Sequence, residues 1–262
     1  MSSETSGTGD TTRSLELLWD TGERPTRGPK PALTLDRIVT TAVGIADTEG
    51  LAAVSMRRLS TALGTGTMTL YRYVPGKAEL LDLMLDRVND VESLGRTEAE
   101  IEASGRDWRD AVRSLAQGYL DLNRRHPWLL KVNQARSVLG PRALRSFDLA
   151  LAAMRGLGTG LRDPELISLI LSVQALAQGV ARMENDSREV VEATGVTDEE
   201  FWKAQEPFLV RAMESGRYPR VAALGEDTFT EDFDHLEFGI TLLVGGLEAV
   251  LAARGGAAGP GS

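Results

Sequence analysis

The stretch from Ser55 to Lys77, SMRRLSTALGTGTMTLYRYVPGK, most constrains what this chain can fold into. It contains two short segments with apolar residues at helical spacing, and glycines at positions 64 and 66 separate them. In the first segment the residues predicted to share one apolar face are Met56, Leu59, Ala62 and Leu63. The pattern therefore predicts two short helices joined by a tight turn.

Residues at the ends of both segments support this interpretation. Ser55 is a predicted N-cap, and Gly64 is a predicted C-terminal stop because glycine tolerates positive φ. Thr67 is predicted to cap a second helix that runs to about Tyr73, and Pro75 follows it. Both helices are thus bounded in the sequence.

The second helix carries residue types that suit the major groove of DNA. Leu70 and Val74 are four apart and are predicted to pack inward, which leaves short hydroxyls, an arginine and two phenols outside. Such side chains contact base edges and phosphates. The pattern favours a helix-turn-helix reader of DNA over a plain αα-corner, the alternative that such a short motif leaves open.

The flanking sequence adds two more helices. An apolar stripe from Leu35 to Ala46 predicts a helix over about 34–49 that ends at Gly50, and residues 80–88 predict a longer helix after the motif. Three helices within a small head, with a fourth leading away, match a DNA-binding unit attached to a larger body.

At this point the chain resembles the TetR family of bacterial transcriptional regulators. The resemblance runs from Leu33 to Leu85, through the pieces EGL, RRLSTALG, TLYRYV and GKAELL. It extends more loosely over HPWLLKV, GPRALRSFDLALAAMRGLG and HLEFGITLLVGGLEAVLAA, which resemble the ligand-binding and dimerisation domain of the branch nearest the tetracycline repressor. It implies an all-α protein with a flexible tail at 1–32, a head at 33–80, a helical body at 81–254 and a flexible tail at 255–262.

The resemblance also implies which residues contact DNA. The predicted base-reading or groove-edge residues are Arg57, Thr67, Met68 and Thr69, and the predicted backbone contacts are Tyr71, Tyr73 and Lys77. Arg72 is a further predicted DNA contact. Arg72 is the less typical of these, since the branch often has another large residue there. Core packing is the alternative for both tyrosines, and a solvated helix face is the alternative for Arg57.

Charge is divided unevenly along the chain. Residues 24–77 contain eight Lys or Arg and three acids, a net charge of +5. Because the whole chain has a net charge of −9, the remaining residues carry −14. A basic patch on an acidic protein directs one end to a polyanion. In the polar N-terminal tail, Arg24, Arg27 and Lys30 could lie along DNA as an arm, whereas an apolar cluster at 15–19 either docks on the protein or a partner or stays disordered.

Beyond residue 90 the pattern predicts helices at about 107–124, 127–136, 141–156, 163–186, 198–214 and 230–253. Two of them, at 163–186 and 230–253, are apolar nearly all round, and Gly239, Gly245 and Gly246 permit close helix packing. We expect a two-fold bundle with two helices from each protomer, and burial within one protomer is the alternative. A homodimer would read a near-palindromic operator in successive major grooves.

The family mechanism adds a small-molecule effector, bound in the body, that tilts the helix starting near Lys77 and releases the operator. The positions that line the pocket in relatives are Trp108, Trp128, Asn133, Gln134, Phe147, Gln174, Gln178 and Met183. Each alone is equally compatible with a core or surface role. No metal site and no cofactor are expected, because the chain has no cysteine and only two histidines, His126 and His235.

Catalysis is not expected, since the sequence contains no HExxH, no GxSxG and no glycine-rich phosphate loop. The absence of an export signal and of an apolar run near twenty residues predicts a cytoplasmic protein without a membrane partner. The prediction is a sequence-specific, ligand-released repressor. The alternative is a helical small-molecule sensor or interaction protein without operator binding.

Overall fold

The computed structural model of the protein describes residues 4–19, 33–89, 107–154, 160–225, 228 and 233–256. These residues are mainly helical, which confirms the predicted all-α class. In chain order the elements are β1 (Glu4–Thr5), α1 (Thr11–Trp19), α2 (Leu35–Glu49), α3 (Met56–Leu63), α4 (Thr67–Tyr71), α5 (Lys77–Val88), α6 (Trp108–Arg125), β2 (Val132–Asn133), α7 (Pro141–Ala153), α8 (Asp163–Thr194), α9 (Asp198–Glu214) and α10 (His235–Gly256). Short 3-10 helices lie at Leu51–Ala53 and Pro127–Lys131.

Helices α2 to α5 form the head around one apolar core. The Thr34 hydroxyl accepts a hydrogen bond from the Arg37 amide at 3.1 Å and begins α2. Gly50 ends that helix, so its predicted bounds are confirmed to within one residue. The largest fully buried side chains of the head are Ile38, Val54, Leu59, Leu70, Val74, Leu80 and Met84.

The caps of α3 are as predicted, and those of α4 differ. The Ser55 hydroxyl accepts from the Arg58 amide, and Gly64 is left-handed at φ 64°. Gly66, not Thr67, precedes the first turn of α4. The Thr67 hydroxyl instead donates to the Ser60 hydroxyl at 3.2 Å, so it bonds to α3 rather than capping α4.

Two smaller predictions for this motif are wrong. Helix α4 ends at Tyr71 rather than at about Tyr73, because the chain there tightens into a turn before Pro75. Ala62 is exposed rather than part of the buried face of α3. Both differences leave Leu70 and Val74 facing the core.

The body is built on α6, α8 and α10, which pack side by side. Val112, Ala116, Val173, Ala177 and Ile240 are at most 1 % exposed at their shared core. Helix α7 lies between this core and α5, and it joins the body to the head. The predicted helices at 107–124, 141–156, 163–186, 198–214 and 230–253 correspond to α6–α10, although α8 continues to Thr194.

The predicted helix at 127–136 is wrong. The chain forms the 3-10 helix Pro127–Lys131 and then β2, which pairs in parallel with β1. Pairing with a strand more than 120 residues earlier in the chain leaves no signal in the local sequence.

The expectation of a wholly flexible N-terminal tail does not hold for residues 4–19, which form β1 and α1 and dock on α5. The apolar cluster at 15–19 accordingly lies on the protein, and Leu18 is 4 % exposed. Arg24, Arg27 and Lys30, the possible DNA arm, lie outside the described residues, as do the last six residues of the C-terminal tail.

Helices α8 and α10 are long and apolar enough to cross a bilayer by length and composition alone. Their most apolar 18-residue windows have mean hydropathies of 1.5 and 1.7. The sequence expectation missed this because scattered Ser, Gln and Gly residues interrupt the apolar runs without adding charge. Only 22% and 17% of these windows are buried within the chain, so both helices present apolar surface outward.

Candidate nucleic-acid interface and the helical body behind it

The outward face of α4 consists of large side chains that none of the described residues covers. Met68 is 77% exposed and Tyr71 is 44% exposed, and Arg72 is exposed beside them. These residues are spaced i, i+3 and i+4, so they form one continuous strip. Leu70 and Val74, on the opposite side, are 0% exposed and anchor the helix to the head core.

Two arginines at this face have no acceptor within the described part of the chain. The side chains of Arg57, on α3, and Arg72 are both exposed. By contrast, the Arg58 guanidinium donates to Glu49 at 3.0 Å and holds the pKa of that carboxyl below its ordinary value. Arg58 therefore ties α3 to α2, while Arg57 and Arg72 are available to a phosphate or a base edge.

Thr67 and Thr69 are half-buried at the start of α4. The Thr67 hydroxyl is used in its bond to Ser60, although its oxygen retains acceptor capacity. These residues frame the exposed strip rather than project from it.

Tyr73 differs from the prediction. It is half-buried, and its hydroxyl donates to the Leu33 carbonyl oxygen at 3.1 Å. A phenol has one proton, and a phosphate oxygen can only accept, so Tyr73 cannot donate to DNA while this bond exists. The interpretation of Tyr73 as a backbone contact is wrong for this conformation, and the core-packing alternative describes it.

Lys77 is at the first position of α5, and its ammonium lies 2.7 Å from the Glu4 carboxylate. It is the one predicted DNA contact that forms an ion pair within the described residues. A phosphate at this position would compete with Glu4.

The eight predicted effector residues lie in different surroundings within the described part of the chain, and their role in effector binding stays a prediction. Trp108 and Phe147 pack at the body core, Gln174 and Gln178 are half-buried on α8, and Met183 is 58% exposed. The other three lie elsewhere: Trp128 at the head–body contact, and Asn133 and Gln134 in the segment that pairs with β1.

Trp128 is a structural residue of the head–body contact. Its Nε1 donates to Asp47 Oδ1 at 2.8 Å, and His126 Nδ1 lies 2.7 Å from the same oxygen. Asp47, at the end of α2, thus joins the head to the segment after α6. Sequence reasoning missed Asp47, because its partners are about 80 residues away and an acid near a helix end normally faces water.

A cleft of about 280 Å³ lies between α6 and the start of α10. Its walls include Arg113, Gln117, Asp234 and Glu237, and Arg113 donates to Glu237 at 3.0 Å. None of the eight predicted effector residues lines it. Among the residues that the structure describes, no group of three or more His, Asp or Glu side chains could hold a metal ion.

Two domain families match the chain. Residues 38–84 match the family described as bacterial regulatory proteins, tetR family, and residues 102–251 match the tetracyclin repressor-like C-terminal domain. The first match runs from within α2 to within α5 and includes the exposed strip of α4.

Individual relatives agree. The HTH-type transcriptional repressor DrrR1 of Streptomyces coeruleorubidus is 53% identical over 259 residues, which covers 99% of this chain and 93% of that protein. Apo ActR of Streptomyces coelicolor matches 86% of this chain and 99% of its own, with a TM-score of 0.61 and 27% identity. For ActR in complex with actinorhodin, the match covers 85% of this chain and 98% of the ActR chain, with a TM-score of 0.55 and 28% identity.

Proposed function

Because the chain belongs to the TetR family of bacterial transcriptional regulators, we propose that it is a repressor that binds a near-palindromic operator as a homodimer and leaves it when a small molecule binds the body. The protein is a regulator and not an enzyme. As a DNA-binding regulator of this family, it acts in the cytoplasm, where its operator lies.

The exposed strip of α4 is the observation that carries this proposal. Met68, Tyr71 and Arg72 project from a helix whose other side is fixed in the core, and Arg57, on the preceding helix, forms no ion pair with the described residues. A short, rigidly held helix with one large outward face can enter the major groove. Arginine can then bond to guanine or phosphate, and the methionine can contact a thymine methyl.

Exposed apolar surface on the body supports the dimer. Leu171 on α8 is 57% exposed, and Phe238 and Leu242 on α10 are 53% and 61% exposed. In addition, α9 has no buried residue although it carries Phe201 and Phe208. Faces of this extent mark an interface, and a second copy with the same faces covers them through a two-fold contact.

Glycines on α10 fit the same arrangement. A Cβ at Gly239 would lie 2.7 Å from Leu176 Cδ2, so this glycine permits α10 to approach α8 within the protomer. A Cβ at Gly246 would meet no described atom within 4 Å outside the adjacent turns of its own helix, so a partner helix could approach there. The alternative of complete burial within one protomer does not agree with the exposure of α8 and α10.

A small-molecule effector is supported by the relatives. This chain aligns with nearly the full length of ActR, and ActR is known in complex with actinorhodin and with (S)-DNPA. An effector that releases the operator must bind the non-DNA-binding arrangement more tightly. Actinorhodin is the first probe to test, by its effect on the affinity for DNA.

The direct test is fluorescence-anisotropy binding to the chain's own upstream intergenic DNA, with a scrambled duplex for comparison, across a salt series. We expect specific binding that weakens steeply with salt. Arg57→Ala should reduce both the affinity and the salt slope, by about one unit of slope if Arg57 contacts a phosphate. Arg58→Ala is the matched control, since Arg58 pairs with Glu49 and should leave the slope unchanged.

Equal affinity for both duplexes, with no operator recovered by random-sequence selection, would contradict the proposal. It would favour the alternative of a helical sensor or interaction protein that does not bind an operator.

A further inference from the structure

Residues 4–19, called the N-terminal strap, lie outside both domain-family matches and contact both parts of the molecule. On one side the strap packs on α5, the helix that leads from the DNA-reading motif into the body. On the other it contacts the body segment 132–139. It therefore bridges two parts whose relative position sets the direction of the head.

The contact with α5 is centred on a buried carboxylate. Asp82 is 1 % exposed and accepts hydrogen bonds from the Ser6 hydroxyl at 3.2 Å, the Gly7 amide at 3.0 Å and the Ser14 hydroxyl at 2.8 Å. All three donors belong to the strap. Because a buried carboxylate without donors is strongly unfavourable, Asp82 fixes the strap in one position.

Neighbouring contacts extend this attachment along α5. Glu79 is 7% exposed and accepts from the Asp10 amide at 2.9 Å. Leu18 joins the apolar core of the head, and Glu4 pairs with Lys77 at the first turn of α5. The strap thus contacts α5 from its first turn through Asp82.

The contact with the body is equally specific. Strand β1 pairs with β2, and the Ser6 amide donates to the Asn133 carbonyl oxygen at 3.1 Å. Trp19 Nε1 donates to the Leu139 carbonyl oxygen at 3.1 Å. Gly7 lies between the two sides with φ +68°, and a Cβ there would lie 2.7 Å from the Arg136 carbonyl oxygen. Only glycine fits this position without strain.

We propose that the N-terminal strap is a built-in brace that restrains α5 on the body, and that its Glu4 masks Lys77 from DNA. A shift of α5 relative to segment 132–139 would break the hydrogen bonds of the strap to one of these two elements. The brace therefore resists the motion that redirects the head. DNA phosphate and Glu4 compete for the Lys77 ammonium. The masking of Lys77 rests on the proposed DNA-binding function, whereas the bracing of α5 does not.

Hydrogen exchange of the full chain without DNA tests the brace. Ser14→Ala removes one donor to Asp82, and Thr12→Ala, on the exposed side of α1, is the matched control. We expect amide exchange in α5 and in segment 132–139 to become roughly tenfold faster in Ser14→Ala, with α2 unchanged, and the control to stay within about twofold of wild type.

Deletion of residues 2–19 should accelerate exchange in the same two segments further. Exchange in α5 that is the same in wild type, Ser14→Ala and the deletion variant would overturn the brace. The point variant decides the question even if the deletion variant does not fold.

Binding to the upstream duplex tests the mask. Glu4→Gln frees Lys77 and should tighten binding by about two- to fivefold at low salt and steepen the salt dependence by about one unit of slope. Glu16→Gln, which removes an exposed strap carboxylate paired with Arg13, is the control and should change neither quantity.

Equal affinities for Glu4→Gln and Glu16→Gln would overturn the mask. If wild type shows no preference for any duplex, the proposed function fails, while hydrogen exchange still decides whether the brace exists.

Discussion

The head and the body of this protein differ in how far they bury their apolar side chains. In the head, α2–α5 bury their large apolar side chains against one another, and Met68 and Tyr71 are the large ones left outside. In the body, α8 and α10 bury one side and expose Leu171 and Leu242, and α9 has no buried residue and exposes Phe208. The head is therefore complete within one chain, whereas the body requires a second copy.

This difference separates two kinds of exposed residue. The exposed apolar side chains Met68 and Tyr71 of the head lie on the strip proposed to contact DNA, while Leu171 and Leu242 of the body lie on the face proposed to contact a partner. Substitutions on the head strip should thus change DNA binding, whereas substitutions on the body face should change dimer formation.

The largest effect is expected at the body face. Leu242→Asp places an unpaired charge in the proposed interface, at a cost of about 3–5 kcal/mol, and should raise the dimer dissociation constant by at least about 100-fold. Sedimentation equilibrium measures it. Leu144→Asp, a similarly exposed leucine on α7, should leave the dimer intact, and equal sedimentation of both variants would contradict the assignment of this face.

In the head, Leu70→Ala should cost about 2–5 kcal/mol of unfolding free energy, because it leaves a cavity beneath α4. Met68→Ala, two residues earlier but 77% exposed, should stay within about 0.5 kcal/mol of wild type. Chemical denaturation followed by circular dichroism compares them. Equal losses would mean that α4 is not anchored as the structure describes.

The two tyrosines provide a sharper comparison within one motif. Tyr73→Phe loses the bond to Leu33 and should cost about 1 kcal/mol of stability with little change in the salt slope of DNA binding. Tyr71→Phe should leave stability unchanged and weaken DNA binding. Chemical denaturation and DNA-binding anisotropy of both variants check this. If Tyr73→Phe weakened DNA binding and Tyr71→Phe lowered stability instead, Tyr73 would again be the DNA contact.

The smallest effect concerns the ion pairs that join α8 to α10. The Arg254 and Arg162 guanidinium groups hold the pKa of Glu165 well below its ordinary value of 4.5. Because the pKa is lowered on folding, the stabilisation is complete above pH 4.5 and is lost as the pH falls through the lower folded value. Glu165→Gln should lower the Tm by at most about 2 °C at pH 7, and the difference from wild type should shrink below pH 4. A difference that grows in acid would contradict this sign.

The head could be predicted from sequence because its signals are local. Ser55, Gly64, Leu70 and Val74 each act within one helix or turn, and the structure places all four as predicted. The assignment of Tyr73 failed because its partner, Leu33, is 40 residues away. The same limit explains why Asp47 and Asp82 were missed, since an acid in a helix normally faces water.

The helices of the body were predicted from the sequence pattern, whereas the lining of an effector pocket was expected only from the resemblance. Helix bounds follow from caps and periodicity, so α6–α10 were found. The lining of an effector site depends on how those helices are arranged, and the structure spreads Trp108, Trp128 and Met183 over different surroundings. The strap was predicted as a flexible tail because its polar residues bond to α5 and β2, which are distant in sequence.

The proposed function requires that the body pairs two heads before they read DNA. Native mass spectrometry of the protein with its own upstream duplex tests this directly, with wild type and Leu242→Asp compared at equal concentration. We expect two protomers on one duplex for wild type and loss of the specific complex for the variant. A single wild-type protomer bound per duplex, or a monomeric variant that binds as tightly as wild type, would contradict it.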